Sequence, residues 1–109
     1  MKVGIDICEN IRIKEAIDKN DKFLSRVYSS REIIEIRKKK CYWNTAAGKF
    51  AAKEAFIKAS GFKDADLYKI EILKDENEKP YIFFNGERFS SVSISHEREY
   101  SVAMVIINE

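Results

Sequence analysis

Two acidic residues and a group of lysines carry the most suggestive chemistry in this sequence. Asp6 closes an apolar, β-branched opening segment, and Glu54 stands in an alanine-rich stretch beside Lys49, Lys53 and Lys58. Magnesium commonly takes one or two carboxylates and fills its other positions with water and phosphate oxygens, which a pair such as Asp6 and Glu54 suits. Lysines supply point charges to a polyphosphate. Together these residue types make a phosphoryl-transfer composition, although a solvated helix face with an i,i+4 ion pair has the same pattern. The only glycines are Gly4, Gly48, Gly61 and Gly86, so neither a GxxxxGK(S/T) loop nor a GxGxxG turn exists, and a phosphate must be held by side chains. A single His96 excludes a multi-histidine zinc site. Cys8 and Cys41 lack CxxC spacing and read as reduced thiols.

Those residues need elements to carry them. Val3 to Ile7 reads as a first strand ending near Asp6. Ile11, Ile13, Ala16 and Ile17 have helical spacing, and Phe23, Leu24 and Val27 add a second short helical turn. Ser29 and Glu32 form a capping-box pair ahead of Ile33, Ile34 and Ile36, and this helix runs into Arg37, Lys38, Lys39 and Lys40, which suit its negative end. A longer helix is expected from Asn44 to Ser60, stopped by Gly61. On its wheel Gly48, Ala52, Ala55, Phe56 and Ala59 form one apolar sector and Phe50 and Ile57 another, with Lys49, Lys53, Glu54 and Lys58 between and beside them. Beyond it the period changes to two, and Tyr68–Leu73, Tyr81–Phe84, Val92–Ser95 and Tyr100–Ile107 read as strands separated by turns. The expectation is an α+β fold in one domain over residues 1–109, with helices of the N-terminal half packed on an antiparallel sheet.

Composition narrows the classes further. Hydrophobic residues at 45% and charged residues at 35% describe a chain that folds in water, and no apolar run approaches a membrane span. Without a basic-then-apolar leader at its start, a cytoplasmic location is expected. Twenty basic and 18 acidic residues leave a net charge of +2, too balanced to argue for nucleic acid from bulk charge. A small RNA-binding module, using the early basic helices with Tyr81, Phe83 and Phe84, is the alternative from another class, although period-2 packing explains those aromatics better.

The run Gly48-Lys49-Phe50-Ala51-Ala52-Lys53-Glu54-Ala55, continuing through Phe56, Ile57, Lys58 and Ala59, resembles the GRFAAKEAxxKA helix of bacterial holo-[acyl-carrier-protein] synthases. Gly4-Ile5-Asp6-Ile7 with Glu9 and Arg12-Ile13 resembles that family's GxDIxExxRI block, Lys79-Pro80 its turn, and Ser93-Ile94-Ser95-His96 its SISH block, followed by Tyr100. The blocks keep their order over essentially the whole chain. The resemblance implies a 4'-phosphopantetheinyl transferase fold and the magnesium-dependent transfer of 4'-phosphopantetheine from coenzyme A to a serine of apo acyl carrier protein, with release of 3',5'-ADP, in support of fatty acid biosynthesis. It implies that Asp6 and Glu54 are magnesium ligands, and that Lys58 contacts the pyrophosphate and the reacting phosphate. Lys49, Lys53 and His96 would help hold the phosphates of coenzyme A, while Arg12, Phe23 and Arg26 would face the acidic carrier protein. The proton acceptor is left open between Glu54 and a water that it positions. Neither Cys8 nor Cys41 receives a role, and family members of this length are commonly homotrimers with sites between subunits. The family usually has arginine where this chain has Lys49, which keeps the charge and loses the planar fork.

Overall fold

In the computed structural model, which describes residues 1–108, the chain runs β1 (Lys2–Glu9), α1 (Asn10–Lys19), α2 (Phe23–Val27), α3 (Ser30–Arg37) and α4 (Tyr42–Ser60). A 3-10 turn (Leu67–Lys69) leads to β2 (Glu71–Lys74), β3 (Pro80–Phe84), β4 (Glu87–Phe89), β5 (Val92–His96) and β6 (Tyr100–Ile107). The α+β class is as expected. The capping box forms in both directions, since the Glu32 N–H donates to Ser29 Oγ and the Ser29 N–H donates to Glu32 Oε1. Gly61 ends α4 in the left-handed region at φ 81° and donates its N–H to the Ile57 carbonyl at 2.8 Å, a conformation that glycine adopts without a Cβ penalty.

Two details differ from the sequence expectation. The strand expected over Tyr68–Leu73 is split: Leu67–Lys69 forms a 3-10 turn and the strand begins at Glu71. Instead of one sheet, the described residues form two of three strands each, ordered β1-β6-β5 and β2-β3-β4, all pairs antiparallel. The additional strand β4 closes a hairpin on Asn85 and Gly86, both at positive φ as a type I′ hairpin turn requires.

One apolar cluster surrounds Phe56 and joins α4 to strands of both sheets through Ile70, Ile72, Ile82, Phe84, Ala103 and Val105. The other joins α4 to α1, α2 and α3 through Ile13, Val27, Tyr28, Ile36, Ala46 and Ala47. The broad sector of Ala52, Ala55, Phe56 and Ala59 packs in the first cluster, while the other sector is divided, Phe50 packing against the second cluster and Ile57 against the first. Of the aromatics considered for RNA, Phe84 is buried, Tyr81 lies under the Arg88 guanidinium at 3.7 Å and Phe83 under Arg31 at 5.6 Å. No helix among the described residues is long and apolar enough to cross a membrane.

Candidate active site

The site starts where β1 crosses α4. Gly4 is buried, and a Cβ at that position would stand 1.9 Å from the Ala55 carbonyl oxygen and 2.9 Å from the Ala59 nitrogen. Backbone therefore lies directly on backbone, which only glycine permits. Because side chains alternate along a strand, Gly4, Asp6 and Cys8 share the face turned to α4. Asp6 is thereby carried to the level of Glu54 and Lys58. The Lys58 ammonium donates to Asp6 Oδ1 at 3.1 Å and to the Ile5 carbonyl at 2.9 Å, so it turns toward β1. With three N–H donors and two of them engaged, it keeps one for a further acceptor.

Glu54 is half-buried, and its carboxyl is held above the ordinary carboxylate range, first by lost hydration and then by the negative charge of Asp6, with Lys58 opposing. Two carboxylates are thus close enough to repel. A divalent cation would relieve that repulsion. Among the described residues no group of three His, Cys, Asp or Glu side chains collects to hold a metal. The available donor set is two carboxylates, which fits a hard cation sharing its coordination with substrate oxygens better than a closed structural site.

Lys53 and Lys49 point the other way. The Lys53 ammonium is fully buried and donates to Glu32 Oε1 at 2.7 Å and to the carbonyls of Leu67 and Ile70, which engages all three of its donors. Burial lowers its pKa to about 8, with the Glu32 charge opposing. Glu32 also accepts from the Ile72 N–H at 2.9 Å, so this pair ties α3, α4 and β2 together. Lys49 donates to Glu35 at 2.6 Å and to the Ile72 carbonyl, and its side chain forms part of the floor of a narrow groove. The structure brings Lys58 to the two carboxylates but sets Lys53 into the framework beneath.

His96 closes that groove on the β5 side, with Thr45, Gly48, Ile72, Lys74, Pro80 and Ile94. Through Thr45 and Lys74 it continues into a cavity of about 310 Å³ lined by Glu35, Lys38, Lys39 and Glu78. The channel is cationic at one end and carries the imidazole at the other. Gly48 and Glu54 are six residues apart, about 9 Å along the helix axis, so the imidazole and the carboxylates occupy different stations of α4.

Arg12 and Phe23 line a separate hollow of about 290 Å³ with Ile7, Cys8, Glu9 and Phe50, immediately beyond Asp6 on β1. Arg26 is exposed on α2, three residues after Phe23. The Cys8 thiol is pushed up to about 11 by burial and by Asp6, which keeps it protonated. Sequence reasoning missed Thr45, Lys74 and Asn10. Lys74 and Thr45 sit in unremarkable local sequence, so no pattern could have found them.

A model of the 4'-phosphopantetheinyl transferase superfamily matches residues 2–105. A holo-[acyl-carrier-protein] synthase of Clostridium acetobutylicum is 40% identical, over 96% of this chain and 94% of its own length. Among solved structures, the holo-(acyl-carrier-protein) synthase of Bacillus anthracis in complex with CoA (3',5'-ADP) superposes with a TM-score of 0.83 at 36% identity, covering 95% of this chain and 92% of that one. The Helicobacter pylori holo-[acyl-carrier-protein] synthase in complex with coenzyme A superposes with a TM-score of 0.85 at 30% identity, covering 97% and 99%.

Proposed function

Because the chain belongs to the 4'-phosphopantetheinyl transferase superfamily, among the holo-[acyl-carrier-protein] synthases, we propose that it transfers 4'-phosphopantetheine from coenzyme A to a serine hydroxyl of apo acyl carrier protein. The reaction releases 3',5'-ADP and depends on magnesium, and it serves fatty acid biosynthesis in the cytoplasm. One domain spans the chain. The observation that carries this reading is the β1–α4 crossing, where Asp6, Glu54 and Lys58 converge.

Asp6 and Glu54 are the residues that would hold magnesium, which when bound neutralises charge on the diphosphate and on the departing nucleotide. The serine oxygen bonds to the phosphorus nearer pantetheine, the bond from that phosphorus to the nucleotide's oxygen breaks, and the serine proton must leave. Glu54, directly or through a water that it positions, is the proton acceptor in this reading. Lys58 directs its remaining N–H at a phosphate oxygen. Lys38, Lys39 and Lys74 offer charge to the nucleotide's phosphates from the groove that Lys49 floors and His96 closes, while Lys53 holds the lysine-bearing helix in place. Arg12, Phe23 and Arg26 receive the carrier protein beside the opening of the site.

A homotrimer completes the proposal. The outer face of β1 and β6 exposes Val3, Ile5, Ile7 and Met104, with Ile5 and Ile7 at 56% and 62%, an apolar strip that a second copy would cover. The separation of the imidazole groove from the carboxylates along α4 supports sites shared between neighbouring chains. Mass spectrometry of apo acyl carrier protein, incubated with this chain, coenzyme A and magnesium, should show the phosphopantetheine adduct, and Glu54→Ala should abolish it. An unmodified carrier protein would refute the reading. A fully active monomer in sedimentation plus assay would refute the shared site.

A further inference from the structure

Behind His96 lies a chain of hydrogen bonds whose donors and acceptors can be assigned by elimination. Asn10 is 2% exposed, and its amide nitrogen lies 3.0 Å from the Glu97 carbonyl and 3.3 Å from the Arg98 carbonyl. Carbonyls only accept, so that atom must be the NH2 group and the other amide atom must be the oxygen. The Asn10 oxygen faces Ser101 Oγ at 2.7 Å, and Ser101 is fully buried. An amide oxygen cannot donate, so the serine proton goes to Asn10. Ser101 Oγ then has only lone pairs to offer to His96 Nδ1, 2.8 Å away. Nδ1 must carry a hydrogen.

The opposite edge of the ring is held as well. A Cβ on Gly48 would meet His96 Cε1 at 2.4 Å and Nε2 at 3.0 Å, so the Cε1–Nε2 edge rests against α4 at the one residue of that turn without a side chain. Among the described residues, Nε2 is the ring nitrogen left without a protein hydrogen bond, on the side of the groove.

We infer that Asn10 and Ser101 are positioning residues that keep a hydrogen on His96 Nδ1 and hold the ring so that Nε2 is the atom it offers to coenzyme A. This rests on the transferase reading for the identity of the ligand, but the tautomer itself does not.

The chain has a single histidine, so its two ring nitrogens can be read without ambiguity in a nitrogen-15 to proton correlation spectrum of the full-length protein. In the free wild type, Nδ1 is expected to show the shift of a protonated nitrogen and Nε2 that of an unprotonated one. Ser101→Ala should lose this preference, and Ser101→Thr, which keeps a hydroxyl, should restore it. On titration with coenzyme A, the Nε2 resonance should move while Nδ1 keeps its proton. An Nε2–H tautomer in the wild type, or an Ser101→Ala spectrum identical to it, overturns the positioning role. An Nε2 that does not move at saturation overturns its contact with coenzyme A. If carrier protein is still modified in that last case, the transferase reading stands and only the role of His96 falls. In kinetics, Ser101→Ala should raise KM for coenzyme A several-fold with kcat within about twofold, a split that general loosening of the fold would not produce.

Discussion

Gly4→Ala is the substitution that probes the β1–α4 crossing most directly. The added carbon would sit 1.9 Å from the Ala55 carbonyl oxygen, and contacts under 3.0 Å are essentially never seen, so β1 must lift by about 1 Å. The atoms it meets are backbone, within a helix buried on both sides, and they cannot swing aside as the end of a side chain can. Overpacking of a core commonly costs about 1–3 kcal/mol, and this clash belongs near the top of that range. For a domain of this size such a loss lowers Tm by roughly 10–20 °C. The same lift separates Asp6 from Glu54 and Lys58, and a misplacement of about 1 Å can cost roughly a hundredfold in rate. The assay is carrier-protein modification followed by mass spectrometry at a temperature where circular dichroism shows the variant folded, alongside a thermal melt. A variant with wild-type Tm and turnover would refute the claim that this contact sets the site.

Gly48→Ala makes a useful contrast, because its new carbon meets the His96 ring at 2.4 Å instead of backbone; Tm should change little while KM for coenzyme A rises. Lys53→Met leaves Glu32 as an unpaired buried charge, and urea denaturation should show a loss of about 3–5 kcal/mol. The Arg31 guanidinium, bonded to both oxygens of Glu71, is the main cause holding that carboxyl below its ordinary value of 4.5. A carboxyl whose folded pKa is depressed stabilises above its unfolded pKa and loses that contribution as pH falls through the folded one. Glu71→Gln should therefore melt below wild type at pH 7, with the gap closing as the pH drops through about 4.5 and lower; a gap independent of pH would contradict the assignment.

Much of the architecture is written in local sequence. Ser29 with Glu32 marks the start of α3, Gly61 the end of α4, and the alternation from Tyr81 onward the strands. The carboxylate pair was legible through the resemblance of the Gly4–Ile7 and Gly48–Ala59 blocks, because its charge pattern alone matches a solvated helix face. The packing of Gly4 on Ala55 that carries Asp6 toward Glu54 shows only in the structure. What could not be read depends on partners far away in the chain. Lys53 looks like one more exposed cation until Glu32, 21 residues earlier, folds over it, and Glu32 itself reads only as a capping residue. The Asn10–Ser101 bond closes over 91 residues and leaves no periodic trace. The division into two sheets follows from β1 pairing with β6 at the far end of the chain, which no local period reveals.

With both apolar clusters closed on α4, neither half of the molecule keeps an interior of its own if that helix is interrupted. Fragment complementation across Ala46–Ala59 should fail for want of any template. The exposed stretch Glu76–Lys79 between β2 and β3 borders no such interior, so relocated termini there would leave the fold standing while disturbing the cavity that Glu78 lines.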